Sequence, residues 1–130
     1  MLSGYLLDTH VVLTSVHQSV KLPSAIRAAI ERGPNVISVI SYWEVMIKSM
    51  KGKLDVGDPR IWWPETLLSL SATPLPILPS QVERLHNLPR IHADPFDRLL
   101  IAQAIAEKLT LLTWDSEILK YAPDRFSVVH

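Results

Sequence analysis

The chain has 130 residues, 48% of them hydrophobic and 20% charged, with a formal net charge of zero and no cysteine. One core of ordinary size can form, disorder is excluded by the apolar content, and zero net charge excludes binding to nucleic acid by bulk attraction. The lack of cysteine excludes a disulfide framework, a thiolate zinc site and a cysteine nucleophile.

In chain order, residues 4–7 read as a first strand extending toward Val12. Leu22-Pro23-Ser24 opens a helix with Ala25, Ile26, Ala29 and Ile30 on one side, and Gly33-Pro34 stops it. The β-branched run 36–40 reads as a strand covered on both faces. Ser41 then begins a helix that runs to about Met50 and ends at Lys51-Gly52-Lys53. After a turn at 57–59, Trp62, Trp63, Leu67, Leu68 and Leu70 mark another helix, with Pro64 near its start. Pro74 and Pro76 restrict 73–78 to a short edge strand or an extended connector. Pro79-Ser80 starts a helix reaching about Asn87. Residues 95–108 are apolar nearly all round and predict a deeply buried helix. A strand over 109–113, a short helix over 115–121 and a last strand over 126–129 complete the chain. Strands alternating with helices predict a single α/β domain over 1–130, with a central mostly parallel sheet in a three-layer α/β/α arrangement. No apolar run approaches the ~20 residues that span a bilayer, and no charged leader precedes Asp8. A cytoplasmic protein with no membrane partner is therefore expected.

Four acids fall at informative places. Asp8 closes the first strand, Glu44 follows the second, Asp97 opens the buried helix and Asp115 follows the fourth strand. In a parallel α/β sheet such positions meet in the crevice beyond the carboxyl ends of the strands. Most have a backbone role as well. Ser41 and Glu44 have the spacing of a capping box, Asp94-Pro95-Phe96-Asp97 places Asp94 at an N-cap, and Asp115 suits an N-cap. Asp8 is expected to have no such duty, because Val11, Val12 and Thr14 are poor helix formers. Two carboxylates ~5 Å apart at an effective dielectric of about 20 repel by roughly 3 kcal/mol. A cation is the natural relief, and an oxygen-only ligand set favours Mg²⁺ or Mn²⁺ over zinc.

The segments carrying these acids resemble those of a known family. Leu6-Leu7-Asp8-Thr9-His10 is similar to the opening motif of PIN domains, the metal-dependent ribonuclease fold. Residues 38–48 (SVISYWEVMIK), 91–104 (IHADPFDRLLIAQA) and 111–115 (LLTWD) resemble the second, third and fourth motifs, in the family's order and with its spacing. The resemblance is strongest to bacterial single-domain toxins of the VapC type. It implies a PIN-like α/β/α fold and metal-binding, catalytic acids at Asp8, Glu44, Asp97 and Asp115. Asp94, Thr113, Ser41 and Thr9 are secondary candidates. The implied activity is endoribonuclease cleavage with carboxylate-held Mg²⁺ or Mn²⁺, in the toxin of a type II toxin–antitoxin pair. RNA contacts are expected from Arg98, His92 and Lys48.

The implied partners are an RNA substrate, a cognate antitoxin and a second copy of the chain in a homodimer, with DNA reached only through the antitoxin. The segment 14–19 is more polar than in relatives, and Trp114 stands where a small residue is commoner. Trp43 is expected to be buried, whereas Trp62 and Trp63 cannot both face inward. An aspartyl phosphatase is disfavoured because His10 stands where its second aspartate is needed. A catalytically silent PIN-like interaction module and a housekeeping RNA-processing nuclease are the competing functions.

Overall fold

The computed structural model describes residues 4–90, 93–121 and 127–130. Five strands, β1 (Tyr5–Leu7), β2 (Asn35–Ser38), β3 (Ala72–Leu75), β4 (Thr110–Leu112) and β5 (Val128–Val129), form one sheet in the order β3-β2-β1-β4-β5. Every pairing is parallel. Between the strands run α1 (Thr9–His17), α2 (Ser24–Arg32), α3 (Val39–Met50), α4 (Pro59–Ser69), α5 (Pro79–Glu83), α6 (Pro95–Glu107) and α7 (Ser116–Leu119).

Alternation along the strands divides the core. Leu6, Val36 and Leu111 face one side with Leu100, Ile101 and Tyr121. Their neighbours Leu7, Ile37 and Leu112 face the other with Val11, Ile26 and Trp62. Each side chain buried in this way contributes about 1.5–3 kcal/mol. Helices cover both faces, as the alternation of elements predicts. Helix α3 feeds both cores, Ile40 into one and Val45 into the other.

The first strand is shorter than its apolar pattern suggests. It ends at Leu7, and Val11 and Val12 belong to α1, where both are fully buried. That burial outweighs their modest helix propensity. Helix α3 likewise begins at Val39, with Ser38 as its N-cap accepting from the Ile40 N–H at 3.0 Å. Ser41 and Glu44 thus sit within the helix, and no capping box forms between them. Pro64 lies inside α4 because Asp58 and Pro59 start that helix earlier, and it removes one donor from the ladder. Pro74 pairs within β3, an edge strand, where a missing N–H is tolerated. Phe126, where the last strand was expected to begin, lies outside the described residues.

Of the tryptophans, Trp62 is buried and its indole N–H donates to His17 Nε2 at 3.3 Å. Trp63 stacks on Tyr42 with ring centroids 4.9 Å apart. Trp43 is 51% exposed, against the expectation of burial, because the inward positions of α3 are taken by Ile40, Ser41, Glu44 and Val45.

Candidate functional site

Because the sheet is parallel, the chain leaves β1, β2 and β4 at the same edge. Asp8 is the first residue after β1, α3 springs directly from β2, and Thr113 to Asp115 follow β4. A cleft of about 200 Å³ opens there, lined by Asp8, Thr9, His10, Glu44, Lys48, Asp94, Asp97 and Asp115. Acids as far apart in sequence as Asp8 and Asp115 therefore line one cleft.

Asp8 is only 3% exposed. Its Oδ1 accepts from the Val11 N–H at 3.0 Å, which makes it the N-cap of α1 after all, and its Oδ2 accepts from the Thr113 hydroxyl. Burial raises its pKa above the usual carboxylate range. The Thr113 and Val11 donors and the His10 imidazole oppose that shift, while the charge of Asp115 adds to it. Thr113 Oγ1 in turn accepts from the Asp115 N–H at 3.0 Å, so one buried hydroxyl links two of the acid-bearing segments.

Glu44, 7% exposed, places Oε2 2.8 Å from the Lys48 ammonium one turn along α3. Its other oxygen, Oε1, is buried with no hydrogen-bond partner among the described residues. Such an acceptor normally costs about 1–3 kcal/mol or more. Thr9 and Ser41, both buried, hydrogen-bond to each other at 2.9 Å and tie the start of α1 to α3 just ahead of Glu44. Asp94 caps α6 through the N–H groups of Phe96 and Asp97, and Asp97 lines the cleft from the first turn. Asp115 caps α7 through Glu117 and Ile118.

Among the described residues no three carboxylates or imidazoles already stand together in a metal-binding arrangement. Glu44 is turned to Lys48 instead. The donor set nevertheless fits a hard divalent cation: five carboxylates face one opening, sulfur is absent, and one buried carboxylate oxygen lacks any donor. Asp8, Glu44, Asp97 and Asp115, with Asp94 beside them, are positioned where they could hold it.

The cationic candidates divide. Lys48 lines the cleft. Arg98 turns away from it, and its guanidinium donates to the carbonyls of Pro89 at 2.9 Å and Leu85 at 3.4 Å and to the Tyr121 hydroxyl at 3.1 Å. His92 lies outside the described residues. His10, absent from the sequence-based candidates, lines the cleft from the first turn of α1. Reading Asp8 as a helix cap would have exposed it, since residues one and two past that cap flank the same opening.

No curated protein matches the chain by sequence. Solved structures share its fold, among them the following three. VapBC2 from Rickettsia felis bound to a DNA fragment from their promoter is 15% identical over 98% of both chains, with a TM-score of 0.70. DNA-bound VapBC from Salmonella typhimurium is 14% identical over 98% of both chains, also at 0.70. A toxin–antitoxin complex from Klebsiella pneumoniae is 24% identical over 98% of this chain and 97% of that one, at 0.65. The motifs around Asp8, Glu44, Asp97 and Asp115 all lie within residues 5–123, which match the PIN domain across nearly the whole fold, and the chain belongs to that family.

Proposed function

We propose that the protein is a metal-dependent endoribonuclease and the toxin of a type II toxin–antitoxin pair. The observation that carries this reading is the convergence of Asp8, Glu44, Asp97 and Asp115 on one cleft, with Glu44 Oε1 buried and unsatisfied. Bound Mg²⁺ or Mn²⁺ would supply a water of lowered pKa and neutralise charge at the scissile phosphate.

The chain's own residues orient that chemistry. Thr113 holds the Asp8 carboxylate and the Asp115 backbone together, the Thr9–Ser41 bond fixes α3 against α1, and the caps of α6 and α7 aim Asp97 and Asp115 at the opening. Lys48, paired with Glu44 here, would be free to meet a substrate phosphate if Glu44 held a cation instead. No 2′-hydroxyl nucleophile is required, so the products carry 5′-phosphate and 3′-hydroxyl ends. The solved relatives are described as VapBC and toxin–antitoxin complexes, which supports a cognate antitoxin; a homodimer is part of the same proposal. DNA would be reached through the antitoxin.

Cleavage of defined RNAs by the purified chain, with Mg²⁺, with Mn²⁺ and with EDTA, tests the reading. Metal-dependent cuts suppressed by a co-expressed antitoxin are expected, and intact RNA under every condition would overturn the nuclease. A catalytically silent PIN module is the second reading. It is favoured by the Lys48–Glu44 ion pair, which already engages one oxygen of a carboxylate that a metal would need.

A further inference from the structure

The cleft presents a binding problem. Among the described residues, five carboxylates line it against one ammonium, and Lys48 is already paired with Glu44. Two divalent ions would be needed before the cleft became neutral, and the chain as a whole has no net charge. Long-range attraction from the described residues does not favour a polyanion here, so groups indifferent to charge have a share in the affinity.

Such groups flank the acids. Trp43 immediately precedes Glu44, Phe96 immediately precedes Asp97, and Trp114 immediately precedes Asp115. Trp43 is 51% and Trp114 37% exposed. Trp43 is not loose: its ring meets Phe96 edge-to-face, with centroids 5.0 Å apart and planes at 79°. This contact spans α3 and α6, the helices that carry Glu44 and Asp97. It pins the indole while leaving half the side chain open to solvent.

An exposed aromatic normally costs solubility and gains nothing, but an indole fixed between the two helices that bring Glu44 and Asp97 to the cleft is a surface on which an unpaired base can stack. Consecutive bases of a single strand can splay toward such a ring, whereas bases stacked in a duplex cannot reach it.

We propose that Trp43, braced by Phe96, is a stacking platform for an unpaired nucleobase next to the scissile phosphate, and so selects single-stranded segments of the substrate. This rests on the nuclease reading of the cleft. It makes Trp43 a specificity-determining residue that takes no part in bond breaking.

The test measures binding separately from cleavage. Anisotropy of a fluorescein-labelled, mixed-sequence single-stranded RNA is followed in Ca²⁺ with the parent, Trp43→Ala and Trp43→Phe. The same strand with one abasic position moved along it, and the same sequence as a blunt duplex, are also used. Sedimentation and melting are recorded for each protein.

Loss of about ten- to a hundredfold in affinity is expected for Trp43→Ala, with most affinity kept by Trp43→Phe. One abasic position should weaken the parent but cost Trp43→Ala nothing further, and the duplex should bind poorly. With one ammonium among the described lining residues, the slope of log affinity against log salt should be about −1 or shallower. Unchanged affinity in a folded Trp43→Ala, a duplex bound as well as the single strand, or a parent that binds no RNA would each overturn the platform. So would a dimer that Trp43→Ala splits while RNA affinity persists, which would assign the indole to a second copy. RNA cleavage by the parent in Mn²⁺ alongside any of these results leaves the nuclease standing without the platform. Trp43-dependent binding with no cleavage keeps base stacking on the indole but removes the nuclease, and with it the placement next to a scissile phosphate.

Discussion

Asp8 holds two positions at once, capping α1 with one oxygen and facing the cleft beside Asp115 with the other side of its environment dominated by burial. A carboxylic acid whose pKa is raised on folding binds more protons folded than unfolded between its two pKa values. Stability therefore falls as pH rises through that window, which begins near the ordinary value of 3.8 and extends upward. In EDTA, the melting temperature of the parent should drop as pH is raised from 4, and Asp8→Asn should flatten that drop. Asparagine caps helices as well as aspartate does, so a lower melting point for Asp8→Asn at neutral pH would argue against the clustered acids. Thr113→Val keeps the shape of the side chain but removes the donor to Asp8 and the acceptor for Asp115. About a ten- to hundredfold loss in metal affinity or cleavage is expected, as for other residues that orient ligands, measured by calorimetry and initial rates. The four acids were legible because each ends an apolar run or opens a helix. The cap at Asp8 was not, because valines at 11 and 12 conceal a helix that only their burial makes stable.

At the scale of elements, the site is a matter of how α1, α3 and α6 are held against the strand ends. The Thr9–Ser41 hydrogen bond crosses from α1 to α3 with both partners buried. Ser41→Ala leaves the Thr9 hydroxyl without its partner and should cost about 1–3 kcal/mol in chemical denaturation. Thr9→Val combined with Ser41→Ala should recover part of that, and strict additivity would show that the bond is unimportant. Arg98 does comparable work for α6, collecting the carbonyls of Leu85 and Pro89 and the Tyr121 hydroxyl. Arg98→Met should lower stability while leaving the salt slope of RNA binding unchanged; a slope reduced by about 0.7 would instead assign the guanidinium to a phosphate. The buried helix 95–107 and the edge character of β3 could be read from composition and proline placement. The starts of α3 and α4 could not, since Ser38 and Asp58 compete as caps with equally plausible signals at Ser41 and Pro64.

For the molecule as a whole, the order β3-β2-β1-β4-β5 brings β1 to the centre, and nothing local in the sequence specifies which strands become its neighbours. That order results from the packing of two separate cores, and it gathers the acids on one edge as a consequence. The same gathering sets a stability cost. A domain with a total stability of ~5–15 kcal/mol must hold five carboxylates around one opening, relieved in the metal-free state by Lys48 and by the raised pKa of Asp8. Any cation that binds only the folded chain adds about 2.7 kcal/mol at a hundredfold excess over its dissociation constant. For a chain of this length that corresponds to a rise of roughly 10 °C in melting temperature. Mn²⁺ added to EDTA-treated protein should produce such a rise, and Glu44→Gln should lose most of it, because the orphaned Oε1 is then a neutral amide atom. Lys48→Met should show a larger rise than the parent, since no ammonium competes for Glu44. Equal melting temperatures with and without Mn²⁺ in all three proteins would mean that the cleft takes up no cation, and the ion pair would then be the resting state of a silent domain.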